Sequence, residues 1–224
     1  MTAAVHNAGS AIFLQLWHMG RATHSDFFGL QPISASAILV EGTVGVLGNI
    51  RKDRETPRAV SIEEIPSIVE EYRQAAANAK EAGFDGVEIH AANGYLIDQF
   101  LQSVSNVRED AYGGSTENRY RLLGDIVEVI AMEYDRAAIG VRLSPNGYFN
   151  GMGSESNYID FQYYLRRLDT AGVGYVHVID GVDKAYLGFH EKCELFTLKV
   201  LYYVTVIHFI YCHLLFCCFD CPHI

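Results

Sequence analysis

Cysteine is missing from the first 192 of the 224 residues, which excludes a disulfide-stapled fold for most of the chain. Positive charge is also scarce, because 17 Lys and Arg residues stand against 27 Asp and Glu residues, a formal charge of −10. Affinity for nucleic acid comes mostly from Lys and Arg, so this balance argues against a nucleic-acid-binding protein. The first ten residues have neither a basic region nor a long apolar run, so no secretory signal is predicted and the cytoplasm is the expected compartment.

Charged residues are absent from the twenty positions 200–219. The stretch has the length of a membrane span, but it contains two His and three Tyr and has no flanking basic cluster. We therefore predict a folded domain over residues 1–194 and an aberrant hydrophobic tail over 195–224, rich in Cys, Tyr and Phe. A membrane anchor and an aggregation-prone buried segment are the alternatives for this tail. Its cysteines lack the spacing of a zinc site, and no metal site is predicted.

Four short segments of the domain have the residue alternation of half-buried strands. In each segment one face is aliphatic, whereas the other face turns polar towards the carboxyl end, as with Val87 and Ile89 against Glu88 and His90. Helices of an outer layer cover such an aliphatic face, and the polar face then lines the mouth of a parallel barrel. The predicted strands are 12–18, 84–90, 138–143 and 174–180.

Helical patterns separate these strands. Ser61 and Glu64 form a capping box that begins a helix ended by Gly83, and two more helices are predicted over about 116–134 and 155–170. Alternating strands and helices predict an α/β protein with a parallel sheet, and we interpret it as part of a (β/α)8 barrel. The alternative is an open doubly wound sheet, but no G-x-G-x-x-G motif follows any of the strands.

Three polar residues follow the second strand closely. His90 and Asn93, three residues apart, can aim two hydrogen-bond donors at one carbonyl oxygen and stabilise the negative charge that develops when hydride adds to the conjugated β-carbon. Tyr95 carries a phenol that can give a proton to the neighbouring carbon. The alternative is structural, with Asn93 capping the next helix while His90 and Tyr95 only pack.

Two further residues have the chemistry of flavin contacts. Arg142 points to the polar face at the end of the third strand, where it requires an electron-rich partner such as a flavin edge or, alternatively, an ion pair with Glu88 or Asp180. Gln15 carries an amide that can both donate and accept, which suits a flavin pyrimidine edge as well as a satisfied core position. We interpret the neighbouring Phe13 and Trp17 as core residues, and the charged stretch 51–58 as a solvated loop.

At these positions the sequence resembles the Old Yellow Enzyme family of flavin-dependent ene-reductases, particularly its plant oxophytodienoate reductase branch. The resemblance lies in FLQLWHMGRATH (13–24), QPISASA (31–37), the stretch from TPRAVSIEEIP through GFDGVEIHAANGYLIDQF to LLGDIVEVI (56–130) and IGVRLSP (139–145). It implies a (β/α)8 barrel with FMN at its carboxyl-terminal mouth, NADPH as reductant, and reduction of the C=C bond of α,β-unsaturated carbonyl compounds, with oxylipins as one candidate class. It also implies that Gln15 and Arg142 contact the flavin, that His90 and Asn93 bind the substrate carbonyl, and that Tyr95 donates the proton.

The chain departs from this family in three ways. Asn93 stands where plant members often have a second His, so substrate identity does not follow from the resemblance. The chain begins at the family's third strand, and the likeness ends near Glu194, before the units that bind the FMN phosphate; the match therefore covers about the third to the sixth βα units. Two alternatives follow: a truncated, inactive pseudoenzyme that cannot retain FMN, and a non-enzymatic fragment anchored to a membrane or a partner.

Overall fold

The computed structural model of the protein describes residues 1–46, 48 and 50–179, together with the backbone of a strand at 200–202. The four predicted strands correspond to β1, β6, β7 and β8, and each begins one or two residues later than predicted. In chain order the elements are α1 (Thr2–Asn7), β1 (Phe13–Leu16), β2 (Ile33–Ser34), β3 (Thr43–Val46), β4 (Ile50–Asp53), β5 (Arg58–Ala59), α2 (Ile65–Glu81), β6 (Gly86–Ala91), α3 (Leu96–Leu101), α4 (Thr116–Ile130), β7 (Ile139–Leu143), α5 (Asn157–Ala171), β8 (Tyr175–Val178) and β9 (Val200–Tyr202).

In the main sheet, each successive strand of the chain is added at the same edge. Its order is β1-β6-β7-β8-β9, which is the order of the strands along the chain, and all four neighbouring pairs are parallel. In a doubly wound sheet, later strands are instead added at the opposite edge, and the ligand binds at the point where this reversal occurs. The observed order therefore confirms the prediction of a partial (β/α)8 barrel rather than its alternative.

The register of the sheet decides which side chains share a face. Gln15 pairs with Glu88, and His90 pairs with Arg142, which in turn pairs with His177. Residues paired across parallel strands direct their side chains to the same side of the sheet. These five residues therefore lie on one face, as the alternation predicts.

Helices cover the opposite, aliphatic face. Val87, Ile89, Ile139, Val141 and Val176 are fully buried there, in one core with residues of α2, α4 and α5. Complete burial of such side chains contributes about 1.5–3 kcal/mol each, which makes this face the main source of stability.

The helix ends follow local sequence signals with one exception. The carboxylate of Glu64 accepts a hydrogen bond from the backbone N–H of Ser61 at 2.8 Å, as a capping box requires, yet α2 begins only at Ile65. Glu64 is also bonded by Arg58 at 2.6 and 2.7 Å, and residues 62–64 form a turn before the helix. Gly83, with φ +82°, follows the end of α2 as predicted.

A buried ion pair joins α4 to α5. Arg119 Nη2 lies 2.5 Å from Asp160 Oδ2, and both side chains are almost completely buried. Thr116 and Ser156 each donate a hydroxyl hydrogen bond to the same carboxylate at 2.6 Å, so its oxygens are well satisfied. Removing one partner of such a pair leaves an uncompensated buried charge.

The prediction that residues 51–58 form a solvated loop holds only for residues 54–57, because both ends of the stretch are strands. Residues 50–53 form β4, which pairs antiparallel with β3, and Arg58 begins β5, which pairs in parallel with β2. The sequence gives no strand pattern here, because β4 is exposed along its whole length and so shows no apolar alternation.

The predicted tail lies outside the described residues except for β9, whose backbone pairs with β8. Within the described part of the chain, no helix is both long and apolar enough to cross a bilayer.

Candidate active site at the carboxyl ends of the strands

The candidate site lies at the rim, the carboxyl-terminal ends of β1, β6, β7 and β8 on the polar face of the sheet. His90 and Arg142 are register partners there, and the positive charge of Arg142 is close enough to affect the imidazole. Burial, followed by this charge and that of His177, lowers the pKa of His90 to about 3. His90 is therefore neutral at physiological pH and can serve in hydrogen bonding rather than as a cation.

Three aromatic rings meet at the rim. The ring of Tyr95 lies 4.7 Å from that of Trp17 and 5.2 Å from that of His90, measured between centroids. Trp17 is also 6.0 Å from His90. The ring of Tyr95 thus stands beside the imidazole of His90 at the rim.

The interpretation of Phe13 and Trp17 as core residues is wrong. Phe13 is 37% exposed and Trp17 is 42% exposed. Phe13 lies on the polar face of β1, and Trp17 follows the end of this strand. No helix of the described chain covers this face, so a hydrophobic side chain there stays exposed. A large exposed aromatic residue beside polar groups is typical of a ligand-contacting surface.

Asn93 is held through its backbone. It adopts a left-handed conformation with φ +57°, unusual for a residue other than glycine. Its N–H donates to Ser144 Oγ at 2.7 Å, and its carbonyl accepts from Asn150 Nδ2 at 2.8 Å. The helix-cap alternative does not hold, because the residue that caps α3 is Tyr95.

Gly94 allows this turn to pack closely. A Cβ atom at Gly94 would lie 2.6 Å from Asn150 Cβ and 2.7 Å from the carbonyl oxygen of Phe149, and its φ is +69°. No other residue type fits this conformation and spacing without displacing the backbone. The turn between β6 and α3 is therefore fixed against the loop that follows β7.

Asp98 supports the same turn from beneath. Its Oδ2 accepts from the Gly94 N–H at 2.8 Å and from Ser144 Oγ at 3.4 Å, while Oδ1 accepts from Gln102 at 2.9 Å. Burial raises the pKa of Asp98 to about 6, although these hydrogen bonds offset part of the effect. The sequence offered no signal for this role, since Asp98 reads as an ordinary first-turn acid of a helix.

Gln15 bonds to two neighbours on the polar face. Its Nε2 donates to Glu88 Oε1 at 2.5 Å, and its Oε1 lies 3.0 Å from His90 Nδ1. The side chain is nevertheless exposed, so its amide also faces the space above the rim. The structure thus places Gln15 at the rim and links it directly to His90.

Arg142 is not paired with Glu88, one of the two alternatives. The Glu88 carboxylate is bonded instead to Gln15 and to His177, whose Nδ1 lies 3.3 Å from Oε2; Asp180, the other alternative, is outside the described residues. Within the described chain, Arg142 Nε and His90 Nε2 are buried atoms without a hydrogen-bond partner. Buried nitrogens in this state are rare and point to a bound group.

A cavity of about 460 Å³ lies elsewhere, between α4 and α5 on the helix side of the sheet. Its lining includes Tyr120, Tyr163 and Arg167, with the guanidinium of Arg167 lying over both rings. None of the five predicted site residues lines it, so it is separate from the rim.

Sequence comparison finds a family match over most of the chain. The profile of the NADH:flavin oxidoreductase / NADH oxidase family matches residues 1–197. Among curated proteins, flavin oxidoreductase hxnT of Emericella nidulans is 40% identical over 185 residues, covering 80% of this chain and 47% of its own. 12-Oxophytodienoate reductase 2 of Arabidopsis thaliana is 40% identical over 179 residues, covering 79% of this chain and 48% of its own. The chain thus spans about half the length of the curated relatives it matches.

Solved structures agree with this match. The old yellow enzyme homologue from Zymomonas mobilis superimposes with a TM-score of 0.78 at 41% identity, covering 80% of this chain and 50% of its own. Morphinone reductase in complex with tetrahydroNAD superimposes with a TM-score of 0.74 at 41% identity, covering 79% and 51%. FMN, with a nicotinamide as hydride donor, is the cofactor of this family. The chain belongs to the NADH:flavin oxidoreductase / NADH oxidase family, that of the old yellow enzymes.

Proposed function

We propose that the chain carries the substrate side of an FMN-dependent, NADPH-driven reductase that reduces the C=C bond of α,β-unsaturated carbonyl compounds, with oxylipins as a candidate substrate class. The observation that carries this proposal is the placement of His90, Arg142 and Tyr95 at one rim, where His90 and Arg142 each have a buried nitrogen with no hydrogen-bond partner among the described residues. Family membership supports the same reaction class.

The residues at the rim fit a flavin ring. Arg142 Nε is a donor without a partner among the described residues, and a flavin gains negative charge at its N1 and O2 edge on reduction. Gln15 lies on the same face with its amide exposed. Bound FMN supplies a carrier that takes a hydride from NADPH and gives it to the substrate. Gln15 and Arg142 are the residues of the chain that would hold its ring.

The remaining residues act on the substrate. His90 and Asn93 bind the carbonyl oxygen, where negative charge develops during reduction, and the backbone hydrogen bond of Asn93 to Ser144 holds the turn that carries Asn93. Tyr95 holds the proton for the neighbouring carbon, and Trp17 packs against its ring. Substrate, as a small molecule, enters from the exposed side of the polar face.

The test combines flavin binding with turnover. We expect the purified chain, incubated with FMN and freed of excess, to keep a flavin absorbance and to oxidise NADPH when 2-cyclohexenone is added without oxygen. Replacing Tyr95→Phe removes the proton donor and lowers kcat by about 10²-fold or more, with FMN binding unchanged. Tyr163→Phe, which removes a phenol from α5 on the helix side, is the matched control and leaves both readouts unchanged.

Each result has a definite meaning. A chain that retains no FMN is the inactive pseudoenzyme of the alternative prediction. A chain that retains FMN and reduces the enone equally well with Phe at position 95 contradicts the assignment of the proton donor.

A further inference from the structure

Glu88 is a partly buried carboxylate that the proposed reaction does not use. Its side chain is 12% exposed and lies on the polar face between β1 and β8. Gln15 Nε2 donates to it at 2.5 Å, and His177 Nδ1 lies 3.3 Å from its other oxygen. Burial alone would raise the pKa of Glu88, but these hydrogen bonds lower it below the ordinary value, so the carboxylate is ionised at neutral pH.

An ionised carboxylate fixes the orientation of the Gln15 amide. A carboxylate only accepts hydrogen bonds, so the NH₂ group of Gln15 must face Glu88. The amide oxygen then faces His90 Nδ1, 3.0 Å away. An amide oxygen also only accepts, and the hydrogen bond therefore requires the proton of His90 to be on Nδ1.

With its proton on Nδ1, His90 has an unprotonated Nε2. His90 is neutral, since burial lowers its pKa to about 3, and a neutral imidazole carries one proton. Nε2 is consequently an acceptor, and it is the buried atom of His90 that has no partner among the described residues.

We propose that Glu88 is a positioning residue that acts through Gln15 to set the tautomer of His90, so that His90 presents an acceptor at the rim in the resting chain. Resting on the proposed function, the consequence for catalysis is a choice between ligand groups. A carbonyl substrate needs the proton on Nε2, and this arrangement forms only when the Gln15 amide turns and its NH₂ group leaves Glu88. Glu88 therefore opposes carbonyl binding until that rearrangement and favours a ligand group that donates a hydrogen bond to His90.

A purely structural role for Glu88 makes a different prediction. In that case the carboxylate only joins β1, β6 and β8, and its loss lowers stability without changing where the proton of His90 lies. The tautomer of His90 is therefore the quantity to measure.

The experiment is nitrogen NMR of the histidine rings. The chain is prepared with ¹⁵N-labelled histidine, and the His90 ring signals are identified by their loss in His90→Asn. At pH 7 we expect the wild type to show a protonated Nδ1. In Glu88→Gln, whose amide tolerates either orientation of Gln15, the share of the Nε2-protonated form rises from below about a tenth to about a half.

Two further variants keep the test decisive. Gln15→Met removes the link at an exposed residue, so it tests the same claim if Glu88→Gln does not fold, and it gives the same change in tautomer. Glu133→Gln is the matched control: its carboxylate is partly buried and bonded by Arg73 at 2.5 Å, remote from the rim, and its loss leaves the His90 signals unchanged.

Two results would overturn the inference: a wild-type His90 protonated on Nε2, or an unchanged tautomer in both Glu88→Gln and Gln15→Met. Enone turnover separates this inference from the proposed function, because the ring signals are read without any reaction. If Glu88 sets the tautomer of His90 but the chain reduces no enone, only the proposed function is contradicted. If the chain reduces the enone but the tautomer does not depend on Glu88, only the inference is contradicted.

Discussion

The two faces of β6 and β7 differ in almost every property, although they alternate along the same backbone. On the helix side, Ile89 and Val141 are completely buried in the hydrophobic core. On the rim side, Glu88 and His90 are both bonded to Gln15, and His90 Nε2 and Arg142 Nε have no hydrogen-bond partner in the described part of the chain. Along each strand, one residue thus contributes to the stability of the core and the next contributes to the candidate site. Substitutions on the two faces can therefore test stability and ligand binding separately.

The largest expected effect lies on the helix side. Ile89→Ala removes a fully buried side chain from the core and lowers the free energy of unfolding by about 2–5 kcal/mol. Urea unfolding followed by circular dichroism measures this loss. A loss below about 1 kcal/mol would mean that the helix layer is loosely packed and that the contrast between the faces is weaker than the structure implies.

Asp98 gives the second largest effect, and it depends on pH. Its folded pKa of about 6 lies above the ordinary 3.8, so the folded state holds this proton more tightly than the unfolded state. The resulting stability is complete below about pH 4 and is lost as pH rises to about 6, a change of about 3 kcal/mol.

Asp98→Asn removes this dependence, because its amide has no proton to lose in that range. Relative to the wild type, the variant gains about 3 kcal/mol in free energy of unfolding between pH 4 and pH 7. Urea unfolding at both pH values provides the measurement. A constant difference between the two proteins would contradict the raised pKa.

Arg142 should behave in the opposite way to Ile89. Arg142→Met removes a buried nitrogen that has no partner among the residues the structure describes, so the free energy of unfolding of the chain without cofactor stays the same or rises. FMN affinity falls by about 10- to 100-fold, the equivalent of one hydrogen bond to a charged group. Equilibrium dialysis against FMN and urea unfolding are compared on the same sample. Lost stability with unchanged affinity would assign Arg142 to the core instead.

Trp17 gives the smallest effect. Trp17→Leu removes its edge contacts with Tyr95 and His90, and because the ring is partly exposed we expect a loss of about 0.5–1.5 kcal/mol. Thermal unfolding followed by circular dichroism measures the loss. A loss of stability as large as that of Ile89→Ala would show that the side chains of the rim are packed as tightly as those of the hydrophobic core.

The strands and their facing were predictable because alternation is local. Val87, Ile89, Val141 and Leu143 share one face in the sequence as they do in the structure. The end of α2 before Gly83 followed an equally local signal. The hairpin of β3 and β4 was missed, since its exposed residues have no pattern that burial imposes.

The site was predictable only in part. Spacing along β6 and the turn after it predicts that His90, Asn93 and Tyr95 lie close together, and their roles are predicted from the family resemblance. Ser144 and Asp98, which hold Asn93 and Gly94, come from a different loop and from a helix face, and no local pattern joins them. The hydrogen bonds of Glu88 to Gln15 and His177 likewise depend on the register of four strands, β1, β6, β7 and β8, which the sequence does not fix.

Trp17 is the chain's one tryptophan, and its indole touches both the imidazole of His90 and the phenol of Tyr95. The protein therefore carries a built-in fluorophore whose emission comes from the rim alone. Quenching or a spectral shift on adding a ligand reports occupancy without a label, a flavin signal or turnover.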